Sequence, residues 1–164
     1  MTYDPLRALR ALTDHAVHFV VIGGVAGRLW GSPTLTNDTD VCCAADPENL
    51  QRLADALIEL GTGLRDVDDD VLFPLDARAL ASARTFTFTT DVGALDVLTM
   101  PAGTRGYDDL HANAEPFDLG DGLVVPVCAL DDLIRMKRAA GRPKDRIELE
   151  VLAAVRDERD AAAD

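Results

Sequence analysis

A short apolar run, Phe19-Val20-Val21-Ile22, stops at Gly23-Gly24, and thirteen residues separate that pair from Asp38-Thr39-Asp40. The run is rich in β-branched residues and too short for a helix, so it reads as a buried strand. The glycines break it, and a short helix carrying Leu29 and Trp30 is expected to follow. A strand running through two glycines into a helix start lets backbone N–H groups come close to a phosphate. Asp38 to Ala44 reads as a second strand. Strand side chains alternate faces, so Asp38 and Asp40 project to the same side. Two like charges held together are costly unless something positive compensates them. A divalent cation would do so, and magnesium takes oxygen ligands and bridges carboxylates to phosphates. An Asp-x-Asp pair alone is common in acidic turns, so the preceding strand and glycines carry the argument.

A third carboxylate stands in Ala94-Leu95-Asp96-Val97-Leu98. An Asp within an apolar strand is expensive to bury unpaired. It is either a metal ligand beside the first two or a buried side chain satisfied by backbone. Lys137 follows Leu133 and Ile134 by four and three residues, so it shares their helical face. An inward lysine either meets an anion or covers apolar surface with its stem and sends its head to water. Asp145, in the first turn of the last helix, suits the positive end of that helix. Lys144 beside it does not, which favours a functional role for Lys144.

Other segments order the elements around these residues. Asp4 and Pro5 read as N-cap and first residue of a helix with a Leu6, Leu9, Leu12 stripe. Asp46 and Pro47 open a helix lined by Leu50, Leu53, Ala54 and Leu57, with Gly61 as its stop. Residues 62 to 83 carry no clear pattern, and the acidic run Asp66, Asp68, Asp69, Asp70 reads as a solvated loop. Thr85 to Thr90 alternates Phe with Thr, a strand with one wet face. Ala94 to Leu98 is its return partner after a turn at Asp91 to Gly93. Asp121-Gly122 marks a hairpin between Phe117 to Leu119 and Leu123 to Val127. A helix from about Leu130 to Ala140 ends at Gly141, and another starts near Pro143 and is expected to fray after Val155. Strands and helices mixed in this order imply an α+β fold with a mixed sheet and flanking helices.

The 164 residues fit one domain, here 1–164, and the net charge of −13 argues against a surface given over to nucleic acid. A local basic cluster exists nonetheless: Arg135, Lys137, Arg138, Arg142, Lys144 and Arg146. It is a solvated helix surface or a polyanion contact. Cys42, Cys43 and Cys128 show no metal or disulfide spacing and read as core residues. His15 and His18 read as core-edge histidines rather than a metal pair. No signal peptide or membrane-length apolar stretch is seen, so a cytoplasmic protein with no membrane partner is expected.

The strand, Gly-Gly, dozen-residue gap and Asp-x-Asp together resemble the signature of the nucleotidyltransferase superfamily, whose fold is that of DNA polymerase beta. Residues 133–145, Leu-Ile-Arg-Met-Lys-Arg-Ala-Ala-Gly-Arg-Pro-Lys-Asp, resemble a "KxxxxRxKD" region of AbiEii-type toxins from bacterial toxin–antitoxin pairs. The chain departs from that pattern in having Thr34 where many relatives carry Arg, and Thr39 between the carboxylates. The resemblance implies transfer of a nucleoside monophosphate from an NTP to a hydroxyl. Asp38, Asp40, Asp96 and Lys137 would be catalytic, and the three aspartates would hold Mg²⁺ or Mn²⁺. Gly23, Gly24 and Ser32 would position the triphosphate, and Lys137 and Lys144 would neutralise it. The acceptor it implies is an RNA, the 3′ end of tRNA, with a cognate antitoxin as partner. The alternatives are a small acceptor such as an aminoglycoside, or a nucleotide-binding module without turnover.

Overall fold

The computed structural model describes residues 2–68 and 73–163. The elements run α1 (Pro5–Asp14), β1 (Phe19–Ile22), α2 (Gly23–Trp30), β2 (Asp38–Cys43), α3 (Pro47–Glu59), β3 (Gly63–Leu64) and α4 (Ala77–Leu80). They continue with β4 (Thr85–Thr90), β5 (Gly93–Leu98), α5 (Tyr107–Asn113), β6 (Glu115–Asp118), β7 (Val124–Val127), α6 (Leu130–Ala140) and α7 (Pro143–Ala163). The strands form one mixed sheet in the order β3-β4-β5-β2-β1-β7-β6, so the α+β expectation with flanking helices holds.

The sheet is built outward from β1, all four residues of which are buried. Strand β2 runs antiparallel to β1 and parallel to β5, and β7 runs parallel to β1. In β2, Thr39 and Val41 are buried, while Asp38 and Asp40 on the opposite face are only partly so. In β5, Leu95 and Val97 are buried, and Ala94, Asp96 and Leu98 are half-buried. The period-two alternation therefore turns one face to the core and the other, with all three carboxylates, to the same side of the sheet.

Local signals in the chain explain the helices. Asp4 and Asp46 accept hydrogen bonds from the backbone N–H groups of Arg7 and Asn49 at 3.1 and 3.0 Å, capping α1 and α3. Leu50, Leu53, Ala54 and Leu57 are buried along α3, and each leucine contributes about 2 kcal/mol of burial. The core also takes Cys42, Cys43 and Cys128, which are free thiols. Burial pushes Cys42 and Cys128 up to about 12, leaving them as protonated, inert packing groups.

Several expectations change. Leu6 is 49% exposed, so the α1 stripe rests on Ala8, Leu9, Ala11 and Leu12. Helix α2 begins at Gly23 itself, not after the glycines. Helix α7 continues to Ala163 instead of fraying after Val155. Long-range contacts within the chain support the extra turns: Arg159 lies over the Trp30 ring at 4.5 Å, and Arg156 reaches Asp131 at 3.3 Å. Between residues 62 and 83 the short β3 and α4 appear. Asp66 and Asp68 are exposed there, as a solvated loop requires, whereas Asp69 and Asp70 lie outside the described residues. His15 pairs with a carboxylate, Glu59 at 2.7 Å. His18 stacks on Tyr107, 6.3 Å between centroids, so the two histidines serve separate contacts.

Candidate active site

Register places the carboxylates. Asp40 is the Cα partner of Asp96 across β2 and β5, and of Ile22, the last residue of β1, on its other side. Asp38 lies one step along the same face, opposite Ala94. All three line an open cleft of about 610 Å³ together with Gly23, Gly24, Thr36, Thr87, Lys137, Arg142 and Lys144. The wet face of β4 expected from its threonines is thus the cleft wall, through Thr85 and Thr87.

Gly23 is fixed by two independent needs. Its φ is +65°, a left-handed conformation that side chains disfavour. A Cβ added there would also fall on Asp40 Oδ2. A Cβ on Gly24 would sit 2.7 Å from Thr36 Oγ1. The glycine pair therefore lets the start of α2 close onto the carboxylates and the 31–37 loop. No side chain caps α2, so its first N–H groups stay available to an anion at the cleft edge.

Burial, and then the neighbouring Asp96 and Asp38 carboxylates, push Asp40 up to about 7, with Lys137 opposing the rise. This is a site with surplus negative charge and hard oxygen donors, the chemistry that suits Mg²⁺ or Mn²⁺. The donor set is open, however. Among the described residues no three His, Cys, Asp or Glu side chains are gathered tightly enough to enclose an ion. Asp96 is engaged on one oxygen by Arg65, whose Nη2 lies 2.7 Å from Oδ1.

The basic side chains divide into two groups. Lys137 is only 15% exposed and faces Asp145 Oδ1 at 3.8 Å. Arg142 donates to the same carboxylate through Nε at 2.7 Å, Nη2 at 3.2 Å and its backbone N–H at 3.1 Å. Burial opposes the charged form of Asp145, but these hydrogen bonds and charges outweigh it and hold the group below the usual carboxylate range. Arg135 turns away to Asp109 and Asp132, at 3.2 and 3.1 Å. Arg138, Lys144 and Arg146 are exposed. The six-residue cluster is therefore not one continuous cationic surface.

Ser32 is buried, and its hydroxyl is spent on Glu148 Oε1 at 2.9 Å. Thr34 donates to the other oxygen of Glu148 at 2.6 Å. This carboxylate ties the loop after α2 to α7, and Ser32 shapes the cleft without lining it. Glu148 and Arg65 escaped the sequence reading, and Arg142 was read only as part of the basic cluster and the 133–145 motif, without its carboxylate partner. Glu148 had a findable signal: Asp145, Glu148 and Leu152 share the buried face of α7 at helical spacing. Arg65 had none, because its partner lies thirty-one residues on.

No protein-family model matches the chain, and no curated protein matches it in sequence. Solved structures do match it in shape. The lincosamide adenylyltransferase LnuA with lincomycin bound superposes with a TM-score of 0.63 at 11% identity, covering 94% of this chain and 99% of that one. A candidate nucleotidyltransferase of Thermotoga maritima gives 0.54 at 19% identity, covering 88% and 86%. ANT(2″)-Ia in complex with adenylyl-2″-tobramycin gives 0.52 at 18% identity, covering 93% and 95%. The likeness gives no support to the toxin, antitoxin and tRNA parts of the sequence expectation. What it does establish is architecture: this chain has the nucleotidyltransferase fold.

Proposed function

We propose that the protein is a metal-dependent nucleotidyltransferase, moving a nucleoside monophosphate from an NTP to a hydroxyl acceptor. The observation that carries this is Asp40 facing Asp96 in register beside Gly23, with Asp38 on the same face of an open cleft. Asp38 and Asp40 would hold Mg²⁺ or Mn²⁺, with Asp96 contributing. Bound there, the ion would neutralise triphosphate charge as the leaving group departs. Gly23 and Gly24 bring the N–H groups of α2 to the triphosphate, and Lys137 and Lys144 offset its charge. The acceptor oxygen attacks the α-phosphorus, the bond to pyrophosphate breaks, and Asp96 takes the hydroxyl proton. Positioning and charge do most of the work in such transfers.

The acceptor that fits best is a small hydroxyl-bearing molecule. Arg135 and Arg142 are committed to carboxylates on the protein, which removes much of the polyanion surface an RNA would need. An RNA acceptor would depend on Arg138, Lys144 and Arg146. The discriminating experiment supplies each α-labelled NTP with Mg²⁺ or Mn²⁺ and two acceptor pools, total RNA and a panel of polyhydroxylated small molecules. Label in the small-molecule fraction, insensitive to salt, is expected. Label on RNA that fades as salt rises would replace this acceptor class. Tight nucleotide binding without transfer to either pool would favour the binding-module alternative.

A further inference from the structure

Arg65 follows the two-residue strand β3, at the edge of the sheet, and its backbone N–H bonds Thr87 O at 3.0 Å. That bond aims its side chain under β4 toward β5. Nη2 then donates to two acceptors at once, Phe88 O at 2.9 Å and Asp96 Oδ1 at 2.7 Å. The side chain is 25% exposed. Its Nε is buried with no partner among the described residues, as are those of Arg52 and Arg135, so the guanidinium makes its hydrogen bonds through Nη2. A guanidinium does not lose its charge in a protein. It therefore stands as a permanent cation against one of the three cleft carboxylates. A divalent ion approaching Asp96 meets both a shared oxygen and a like charge. Asp96 thus stands against the Asp40 carboxylate across the strand pair while Arg65 holds one of its oxygens.

We propose that Arg65 is a positioning residue of the transfer site: it fixes the orientation of Asp96 and keeps the metal site weak until a nucleotide brings its own negative charge. This rests on the nucleotidyltransferase reading for its role in turnover, but its metal arm stands apart from it. Outer groups that hold a metal-binding side chain tune both its orientation and its affinity. Arg65 does so with positive charge, so its removal should bind the ion more tightly while slowing transfer. A residue needed only for stability would weaken both.

The test is a titration of the metal-free protein with Mn²⁺ alone, read by electron paramagnetic resonance, for the parent, Arg65→Met and Arg65→Lys. Arg65→Gln replaces Arg65→Met if the latter does not fold. The neutral variant should bind Mn²⁺ about three- to tenfold more tightly, and Arg65→Lys should return close to the parent. Unchanged or weaker Mn²⁺ binding in the neutral variant would overturn the proposal. Where transfer is measured, kcat of the neutral variant should fall about tenfold or more with KM for NTP nearly unchanged; an unchanged kcat would remove the orienting role. A parent that transfers nothing would instead sink the functional reading, and the Mn²⁺ result would still decide the role of Arg65.

Discussion

Asp40 and Asp96 stand directly opposite one another on neighbouring parallel strands, and the closeness of the two carboxylates helps burial push Asp40 up to about 7. The folded protein thus keeps a proton on Asp40 that the unfolded chain releases near pH 4. The stability this contributes is fully present below the unfolded value and is lost as pH rises through about 7. Without metal, the melting temperature of the parent should therefore fall between pH 5 and 8 relative to Asp40→Asn, which has no such proton to lose. Added Mg²⁺ should restore the parent at pH 8 and leave Asp40→Asn unmoved. Parallel melting curves for parent and variant across that range would show the carboxylates to be uncoupled.

Gly23 makes a prediction on two levels. Gly23→Ala meets a left-handed backbone cost of about 1–2 kcal/mol, and its new methyl group displaces the Asp40 carboxylate. Denaturant unfolding should show that loss, and Mn²⁺ binding should drop more than the stability change explains. Gly120→Ala is the control: its φ is also positive, +94°, but nothing lies within 4 Å of an added Cβ. It should cost stability and spare the metal. Equal effects on Mn²⁺ binding from both variants would remove the steric argument.

Lys137 and Arg142 share Asp145 but should separate in function. Lys137 is inside the cleft and acts on Asp40, so Lys137→Met should weaken Mg·NTP binding about tenfold with a small change in melting temperature. Arg142 makes three hydrogen bonds to the buried Asp145. Arg142→Ala should cost about 1–3 kcal/mol of stability, because it strips partners from a buried charge. Calorimetric NTP titrations beside thermal melts would check the split, and a stable Arg142→Ala with nucleotide affinity like that of Lys137→Met would reverse the two roles.

Local chemistry in the chain made most of this visible. The Asp4-Pro5 and Asp46-Pro47 caps, the apolar β1 and the alternation of β2 and β5 each act within a few residues, so their effects can be read in order along the sequence. Asp96 was legible because a carboxylate inside an apolar strand needs a reason. What stayed hidden was long-range. Arg65 closes on Asp96 only after β3 and β4 pair, and Arg135 is diverted by Asp109 from a helix, α5, that has no strong periodic signal. Ser32 illustrates a different limit: its position in the loop was readable, but whether its hydroxyl faced the cleft or Glu148 depended on α7 arriving from the far end of the chain.

The central claim is that the paired carboxylates bind nucleotide through a divalent ion. Isothermal titration of each NTP into the parent and into Asp40→Asn, with and without Mg²⁺, tests it most directly. At least one NTP should bind the parent only when Mg²⁺ is present, and Asp40→Asn should lose that binding by about a hundredfold or more. Binding that ignores Mg²⁺, or that survives intact in Asp40→Asn, would contradict the account.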